Sequence, residues 1–415
     1  MAAFSRESFE TNGRRYAPPA RPVVVVCIDG CADEYVDRAM ALGRIPAMQR
    51  MAVEGYRGLC RGALPAFTNT NNASIVTGVA PAVHGISGNF FLDPDTGEEV
   101  MMNDPAYLRS GTLLADAARA RRRVAVVTSK DKLRRILSHE LEGVAFSAEK
   151  AAEATVEENG IGDVEELVGR PAPGIYSAEA STFVLAAGAA LIERGLADFL
   201  YLSLTDYIQH KHAPDDPVAV DFYADLDAEI GQMLELGAVI GITADHGMNA
   251  KQAGDGSPNV IFLEDRLAAE FGDGVRVILP ITDPYVMHHG ALGSYAVVHL
   301  DDPSREAAVY ERLTAIEGIT EVYGRRRAAA LLELPGDRIG DLVVLSARDV
   351  VLGRRAEGHD LSEVASGLRS HGGRYEEMVP LFVSHPLSEA GEGLARGDLR
   401  NFDVFDLTVN ARVGG

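Results

Sequence analysis

The sequence predicts an α/β fold in which a mostly parallel sheet is covered by helices on both faces. Two observations support this prediction: four short apolar runs stop abruptly at polar residues, and segments with helical periodicity lie between them. Continuous apolar runs are typical of strands that are buried on both faces. Strands that alternate with helices along the chain favour a parallel sheet.

The apolar runs mark the predicted central strands. These strands cover residues 23–28, 124–128, 199–204 and 238–243. Helical patterns cover residues 110–121 and 178–194. An ionisable residue closely follows each run: Asp29, Lys130, Asp206 and Asp245. Because open parallel sheets bind ligands at the carboxyl ends of their strands, these side chains predict a site at that edge of the sheet.

The pattern changes between residues 255 and 335. An alternating run at 294–300 and a helix-like segment at 304–317 indicate a smaller α+β unit, which we interpret as a cap inserted into the core. The catalytic core then comprises residues 1–254 and 336–415, with returning strands predicted at 340–347 and 379–384. We assign His288 and His289 to a loop of the cap.

The charge of the chain excludes several classes of partner. Its 415 residues include 39 Lys and Arg against 61 Asp and Glu, which gives a formal net charge of −22. Such a surface repels nucleic acid and anionic membranes. Neither a secretory signal nor an apolar run of membrane-spanning length is evident. The expected partner is a small anionic substrate, and a homodimer is left open.

The number of cysteines bears on the cellular location of the protein. The chain has three cysteines, an odd number for its length, which argues against a disulfide framework. Reduced, mostly buried thiols are typical of cytoplasmic proteins. The sequence therefore predicts a cytoplasmic location.

Six residues are candidate metal ligands. Divalent metals of hard or borderline character prefer carboxylate oxygens and imidazole nitrogens. The spacing of Asp206 and His210 places both on one side of a helical turn, and Gly247 permits a sharp turn after the adjacent pair Asp245 and His246. With Asp29 and His371 the set is about what two metal sites need, if one further ligand is added.

Thr68 is the candidate for that further ligand and for the nucleophile. The polar run from Asn69 onward can open a helix, which would place the Thr68 hydroxyl at the positive end of that helix. An alcohol there that is also bound to a metal loses its proton more easily than in water. The simpler alternative is that Thr68 only caps the helix.

Several motifs together carry a resemblance to a known family. Thr77-Gly78, Pro81, His84-Gly85-Ile86 and Asn89 lie in a segment, residues 67–91, that resembles the nucleophile region of the nucleotide pyrophosphatase/phosphodiesterase branch of the alkaline phosphatase superfamily. The candidate ligands follow in the same order as the metal ligands of that branch. The resemblance covers the whole chain as an ordered set of motifs, and it implies an alkaline phosphatase-like core.

The resemblance also implies roles for individual residues. It implies two divalent metal ions, with Zn²⁺ as the expected metal. One ion would be held by Asp29, Thr68, Asp245 and His246, and the other by Asp206, His210 and His371. Asn89 would donate a hydrogen bond to a phosphoryl oxygen, and Thr68 would be phosphorylated during turnover.

Lys130 and Lys132 bear on the choice of substrate. They follow a predicted core strand, at the edge where the metals are expected. Cations are disfavoured at a helix start, which favours a ligand role over a solvated one. His212 is a further candidate donor. The two lysines resemble those of superfamily members that cleave phosphonoacetate to acetate and phosphate, a reaction in which charge flows onto a carboxylate as the carbon–phosphorus bond breaks.

Two other functions remain open. A phosphodiesterase or nucleotide pyrophosphatase would need an aromatic slot for a base; the chain has no Trp, and Tyr207 and Phe90 are the remaining candidates for it. An inactive metal-binding scaffold on the same fold is disfavoured because the nucleophile and the ligands are all present. Asp33 and Asp227 are candidates for supporting the metal ligands.

Overall fold

The computed structural model describes residues 7–282, 291–365 and 367–413. Strands β1 to β19 are, in chain order, Phe9–Thr11, Arg14–Tyr16, Val23–Cys27, Tyr56–Arg61, Phe90–Leu92, Glu99–Met101, Val124–Thr128, Val144–Ser147, Phe199–Ser203, Val239–Thr243, Asn249–Ala250, Val260–Phe262, Val275–Ile278, Tyr295–Leu300, Ile319–Gly324, Leu342–Ser346, Val351–Gly353, Arg369–Ser370 and Met378–Val383. Helices α1 to α15 are Asp33–Ala41, Pro46–Glu54, Thr68–Thr77, Pro81–His84, Leu113–Arg119, Asp131–Leu137, Val156–Asn159, Val164–Val168, Glu179–Glu193, Pro217–Glu235, Leu263–Phe271, Glu306–Thr314, Arg325–Leu331, Glu389–Ala395 and Val404–Val409.

A seven-stranded sheet forms the centre of the molecule, in the order β4-β19-β10-β3-β9-β7-β8. From β10 to β8 all neighbours are parallel, whereas β19 and β4 pair antiparallel at one edge. The four predicted strands are the adjacent strands β10, β3, β9 and β7, and their residues are fully buried. The predicted parallel sheet is therefore confirmed.

Helices cover both faces of this sheet. Side chains alternate between the faces along a strand. In β9 the Tyr201 ring lies 5.8 Å from Phe405 of α15, whereas the next residue, Leu202, lies against Gly188 of α9. The continuous apolar runs in the sequence reflect this two-sided burial.

A second, antiparallel sheet has the order β13-β14-β16-β15 and its own hydrophobic core. The predicted strand at 294–300 and the predicted helix at 304–317 are present as β14 and α12. The prediction that residues 340–347 return to the core is wrong, because β16 pairs with β14 and β15. Residues 379–384 do return to it, as β19.

The division into a core (1–254 and 336–415) and a cap (255–335) stays a prediction. The pairing of the strands favours placing the end of the cap later than residue 335, because β16 belongs to the smaller sheet and β17 pairs with β12. His288 and His289 lie outside the described residues. The three cysteines are buried and unbridged. Among the helices that the structure describes, none is both long enough and apolar enough to span a membrane.

Candidate active site

The carboxyl ends of four neighbouring strands bring the candidate residues together. Asp29 follows β3, Asp206 follows β9, Asp245 follows β10 and Lys130 follows β7. The chain turns sharply after Asp29, where Gly30 has a φ of 71° and a Cβ atom would lie 2.9 Å from the Asp206 Cβ. A glycine is therefore required for the two carboxylates to approach each other.

Two groups of buried side chains have the composition of metal sites. Asp206, His210 and His371 form one group, and Asp29, Asp206 and His246 form the other; in each, the candidate ligand atoms lie within 4.8 Å of one another. Asp206 Oδ2 lies 2.8 Å from His210 Nε2 and 3.9 Å from His371 Nε2. His246 Nε2 lies 3.2 Å from Asp29 Oδ1 and 3.7 Å from Asp245 Oδ2. All six predicted ligands thus converge, with Asp206 shared between the groups.

The main chain orients the three imidazoles. His210 Nδ1 lies 2.8 Å from the Arg369 carbonyl oxygen, and His371 Nδ1 lies 2.7 Å from that of Ala66. His246 Nδ1 lies 2.9 Å from the Gly247 carbonyl oxygen. A carbonyl accepts the Nδ1 proton, so the Nε2 atom of each ring faces the carboxylates, which is the orientation that a metal ligand requires.

Two buried atoms of the site fit a bound cation. Asp29 Oδ1 and His246 Nε2 lie 3.2 Å apart, yet neither atom makes a hydrogen bond to the other or to any other described residue. A buried polar atom without a partner costs about 1–3 kcal/mol, and more if it is charged. Coordination of a divalent metal would satisfy both atoms.

The pKa shifts of the site residues also indicate that a cation would stabilise the site. Burial, together with Asp206 and Asp245, raises the pKa of Asp29 well above its ordinary value. Burial also opposes ionisation of Asp206, but His210 and Lys130 hold its pKa well below the ordinary value. Burial would lower the pKa of His246, but Asp245 and Asp29 raise it to about 10. Three buried carboxylates in one place are a strong attraction for cations.

Asn72 fixes Asp245. Its Nδ2 donates to Asp245 Oδ2 at 3.2 Å, while its Oδ1 accepts from Tyr201 Oη at 2.7 Å and Ser203 Oγ at 3.0 Å. The other carboxylate oxygen, Oδ1, accepts from the amides of Gly30 (3.3 Å) and His246 (3.0 Å). Asn72 was not singled out from the sequence; its position one helical turn after Thr68 is the signal that would have indicated it.

Thr68 is the first residue of α3, one position earlier than the helix start predicted at Asn69, and it is partly exposed whereas the rest of the helix is buried. Asn89 Oδ1 accepts from the backbone amide of Asn69 at 2.9 Å. This leaves the Asn89 Nδ2 group to donate to a ligand. Asn69, which also lines the pocket, is held by a hydrogen bond to the Met102 carbonyl oxygen.

One pocket connects these groups. Eight of the predicted site residues line it: Asp29, Thr68, Asn89, Lys130, Lys132, Asp206, His210 and His371. Lys130 Nζ lies 3.5 Å from Asp206 Oδ1. Sequence reasoning missed Asn69, Ser129, Leu133, Leu204 and Ile281, which complete the lining.

His212, Asp33 and Asp227 are engaged elsewhere. His212 is not among the described residues that line the pocket; its Nδ1 lies 2.8 Å from Asp216 Oδ2. Asp33 pairs with Arg57 at 2.9 Å, and Asp227 accepts from the first amides of α2. The expectation that Asp33 and Asp227 support metal ligands is therefore wrong, and a substrate role for His212 stays a prediction.

The chain is similar to proteins of known family and structure. A sequence profile of the type I phosphodiesterase / nucleotide pyrophosphatase family matches residues 23–374. Phosphonoacetate hydrolase from Sinorhizobium meliloti, solved in complex with phosphonoformate, is 47% identical, with a TM-score of 0.93 over 99% of this chain and 100% of that one. Its complex with phosphonoacetate gives 47% identity, a TM-score of 0.92 and the same coverage.

A more distant structure shares the fold. Murine ectonucleotide pyrophosphatase / phosphodiesterase 5 is 17% identical, with a TM-score of 0.63 over 95% of this chain and 96% of that one. The family profile covers most of the chain, and the S. meliloti enzyme matches it along nearly its whole length. The chain belongs to the type I phosphodiesterase / nucleotide pyrophosphatase family of the alkaline phosphatase superfamily.

Proposed function

We propose that this enzyme hydrolyses the carbon–phosphorus bond of phosphonoacetate to give acetate and phosphate. The observation that carries the proposal is that Lys130 and Lys132 line the same pocket as Thr68 and the carboxylate–imidazole groups. A substrate bound there by its phosphonate can direct its carboxylate toward two ammonium groups. The 47% sequence identity to a phosphonoacetate hydrolase whose structure was solved with phosphonoacetate supports the choice of substrate.

Two divalent cations, proposed to be Zn²⁺, fit the donor set of carboxylate oxygens and imidazole nitrogens. Asp206, His210 and His371 would hold one, and Asp29, Asp245 and His246 together with Thr68 would hold the other. When bound, they would favour the alkoxide form of Thr68 and withdraw charge from the phosphoryl oxygens.

The residues of the chain then carry out the reaction in two steps. Thr68 Oγ gives its proton to solvent water and attacks phosphorus, and Asn89 Nδ2 donates to a phosphoryl oxygen. As the new oxygen–phosphorus bond forms, the carbon–phosphorus bond breaks and its electron pair delocalises onto the carboxylate. Lys130 and Lys132 stabilise this charge until the carbon takes a proton from water and leaves as acetate. Water then attacks phospho-Thr68, which restores the hydroxyl and releases phosphate.

The alternatives gain less support. Neither Tyr207 nor Phe90 is among the described residues that line the pocket. Phe90 packs against the core of the smaller sheet, and Tyr207 lies beneath the Lys211 ammonium. An aromatic slot for a nucleotide base is therefore not found in the described part of this pocket. An inactive scaffold is disfavoured because Thr68 remains at the pocket beside a complete donor set.

The cellular location and the oligomeric state stay predictions. Three buried free thiols favour a cytoplasmic location, and a homodimer is left open.

The test is phosphate release from phosphonoacetate by zinc-loaded enzyme, measured beside a nitrophenyl phosphodiester at equal concentration. A strong preference for phosphonoacetate is expected. Preference for the diester would refute the assignment of substrate and move the protein to the phosphodiesterases, with the metals and Thr68 unchanged. Metal analysis of the purified enzyme tests the assignment of zinc.

A further inference from the structure

A second cavity opens directly beside the pocket that holds Thr68. Lys130 and Lys132 line both cavities. We term the second one the antechamber; its charged lining residues are Lys130, Asp131, Lys132, Arg135, Glu149 and Lys150. Two other parts of the chain complete its wall, with Met101 and Asn103 from one and Ile175 and Tyr176 from the other. The antechamber is thus a product of the tertiary fold and not of one loop.

Positive charge dominates the antechamber. Both of its acids are already engaged: Asp131 pairs with Arg134 at 2.7 Å, and Glu149 accepts from the Asp131 backbone amide at 2.8 Å. Lys150 Nζ lies 3.6 Å from Asp131 Oδ2, and its side chain is 50% exposed. Arg135 is exposed and has no ion-pair partner among the described residues.

This local charge opposes that of the whole molecule. A net charge of −22 repels a small anion that carries both a phosphonate and a carboxylate. Screening limits such fields to about 10 Å at 0.1 M salt, so the cations nearest the entrance decide whether the anion is captured. Arg135 and Lys150 are those cations, because they are more exposed than Lys130, whose side chain is 19% exposed.

We propose that the antechamber is an anion-capture site through which a carboxylated phosphonate reaches Thr68, and that Arg135 and Lys150 set the efficiency of capture. The nature of the anion rests on the proposed function. Neither residue lines the pocket around Thr68, so both act on the encounter and not on bond breaking. Their removal lowers kcat/KM and leaves kcat nearly unchanged.

Charge reversal tests this assignment. The variants are Arg135→Glu, Lys150→Glu and the double variant. The matched control is Arg326→Glu, which introduces a glutamate on the exposed face of α13 and lines neither cavity. The measurement is kcat and kcat/KM for phosphonoacetate at about 20 mM and about 300 mM NaCl, where the Debye length falls from roughly 20 Å to about 6 Å.

The double variant is expected to lose about tenfold or more in kcat/KM at low salt, with most of the loss removed at high salt. A kcat/KM equal to that of Arg326→Glu at low salt would overturn the proposal. A loss of equal size at both salt concentrations would overturn it too, since a disturbed fold does not depend on screening.

Failure of the proposed function is distinguishable from failure of this inference. If the native enzyme does not cleave phosphonoacetate, inorganic phosphate serves as the probe, as a competitive inhibitor of the nitrophenyl diester. Weaker inhibition of the double variant than of Arg326→Glu, confined to low salt, would still support anion capture. Equal inhibition of the two variants would overturn it.

Discussion

Two threonines near the start of α3 have contrasting surroundings. Thr68 is partly exposed and lines the pocket. Thr70, two positions along the helix, is fully buried, and its hydroxyl has no hydrogen-bond partner among the described residues. Only the first hydroxyl is therefore placed to meet a substrate, although the two residues are chemically identical.

Thr68→Ala should abolish turnover, because it removes the attacking oxygen while leaving the six carboxylate and imidazole ligands in place. Metal content should remain close to that of the native enzyme. Thr70→Ala, the matched control, should retain most activity. Phosphate release and metal analysis on both variants check this. More than a few per cent of native turnover in Thr68→Ala would rule out Thr68 as the nucleophile.

The two lysines are expected to act on the leaving group. Lys130→Ala and Lys132→Ala should each lower kcat/KM for phosphonoacetate by about 10²-fold, because each removes a charge that stabilises the carboxylated leaving group. Hydrolysis of an activated aryl phosphate ester should fall much less, since its leaving group needs no such help. Lys211→Ala, an exposed lysine outside the pocket, is the control. Equal losses on both substrates would instead make the lysines general phosphate binders.

At the scale of elements, two segments interlock to align the nucleophile with a metal ligand. His371 Nδ1 meets the Ala66 carbonyl oxygen, and the Ala66 amide donates to the Gly372 carbonyl oxygen at 3.1 Å. Gly372 has a φ of 117°, and a Cβ atom there would overlap the Phe67 ring. Phe67 directly precedes Thr68, so this close approach couples the start of α3 to the group formed by Asp206, His210 and His371.

Gly372→Ala should therefore weaken both metal retention and catalysis. The added methyl pushes Phe67 away and strains a backbone conformation that L-residues rarely adopt. Gly358→Ala is the control, because a Cβ atom there would meet nothing within 4 Å. Zinc release to a coloured chelator and kcat on phosphonoacetate are the measurements. The coupling is refuted if Gly372→Ala releases zinc as slowly as Gly358→Ala does.

A buried ion pair joins the two loops that carry His246 and His371. Lys251 Nζ donates to Glu376 Oε1 at 2.8 Å, and both side chains are fully buried. Glu376 Oε2 accepts from the Gly373 amide at 3.0 Å, and its carbonyl oxygen accepts from the Gly247 amide at 2.8 Å. Glu376 thus contacts both Gly247, which directly follows His246, and Gly373, which lies two residues after His371.

Lys251→Met should lower the free energy of unfolding by about 3–5 kcal/mol, because it leaves the Glu376 carboxylate buried without its cation. The double variant Lys251→Met/Glu376→Gln should recover part of this loss, since no charge then remains buried. Denaturant unfolding of both variants beside the exposed control Lys211→Met measures the difference. A Lys251→Met midpoint equal to that of Lys211→Met would contradict the prediction.

At the scale of the whole molecule, the sequence predicts the position of the site better than the grouping of the strands. The central strands are continuous apolar runs that end in ionisable residues. Because parallel strands bring those ends to one edge of the sheet, the metal ligands can be predicted from the local sequence pattern. β16 has the same kind of buried apolar run but lies in the smaller sheet. The hydrophobic pattern of a strand indicates that the strand is buried, but it does not indicate which strand it pairs with.

Features that depend on distant contacts were beyond the sequence. His212 lies two residues from His210 yet turns toward Asp216, because adjacency along the chain does not fix the direction of a side chain. The carbonyl groups that orient the imidazoles belong to the main chain and leave no mark on residue identity. The antechamber requires Tyr176 and Met101 to meet α6, which only the tertiary fold establishes.

The stability of the whole molecule should depend on its metals. Asp29, Asp206 and Asp245 are buried close together, and their mutual repulsion opposes folding unless cations offset it. A ligand that binds only the folded state, at 100 times its Kd, adds about 2.7 kcal/mol of stability. Removal of one metal ion should therefore lower the thermal unfolding midpoint by about 3 °C, and removal of both by about 6 °C.

Restoration by different metals then identifies the native one. Zn²⁺ should return the midpoint at micromolar concentration, whereas Mg²⁺ should not, because three imidazole nitrogens suit zinc and magnesium prefers oxygen ligands. His210→Ala, which removes one of these nitrogens, should show a smaller shift than the native enzyme, and Arg326→Glu should show the full one. Calorimetry of stripped and reloaded protein makes the measurement. Equal midpoints for stripped and fully loaded enzyme would mean that the carboxylates are neutralised by protons and that the metals contribute to catalysis alone.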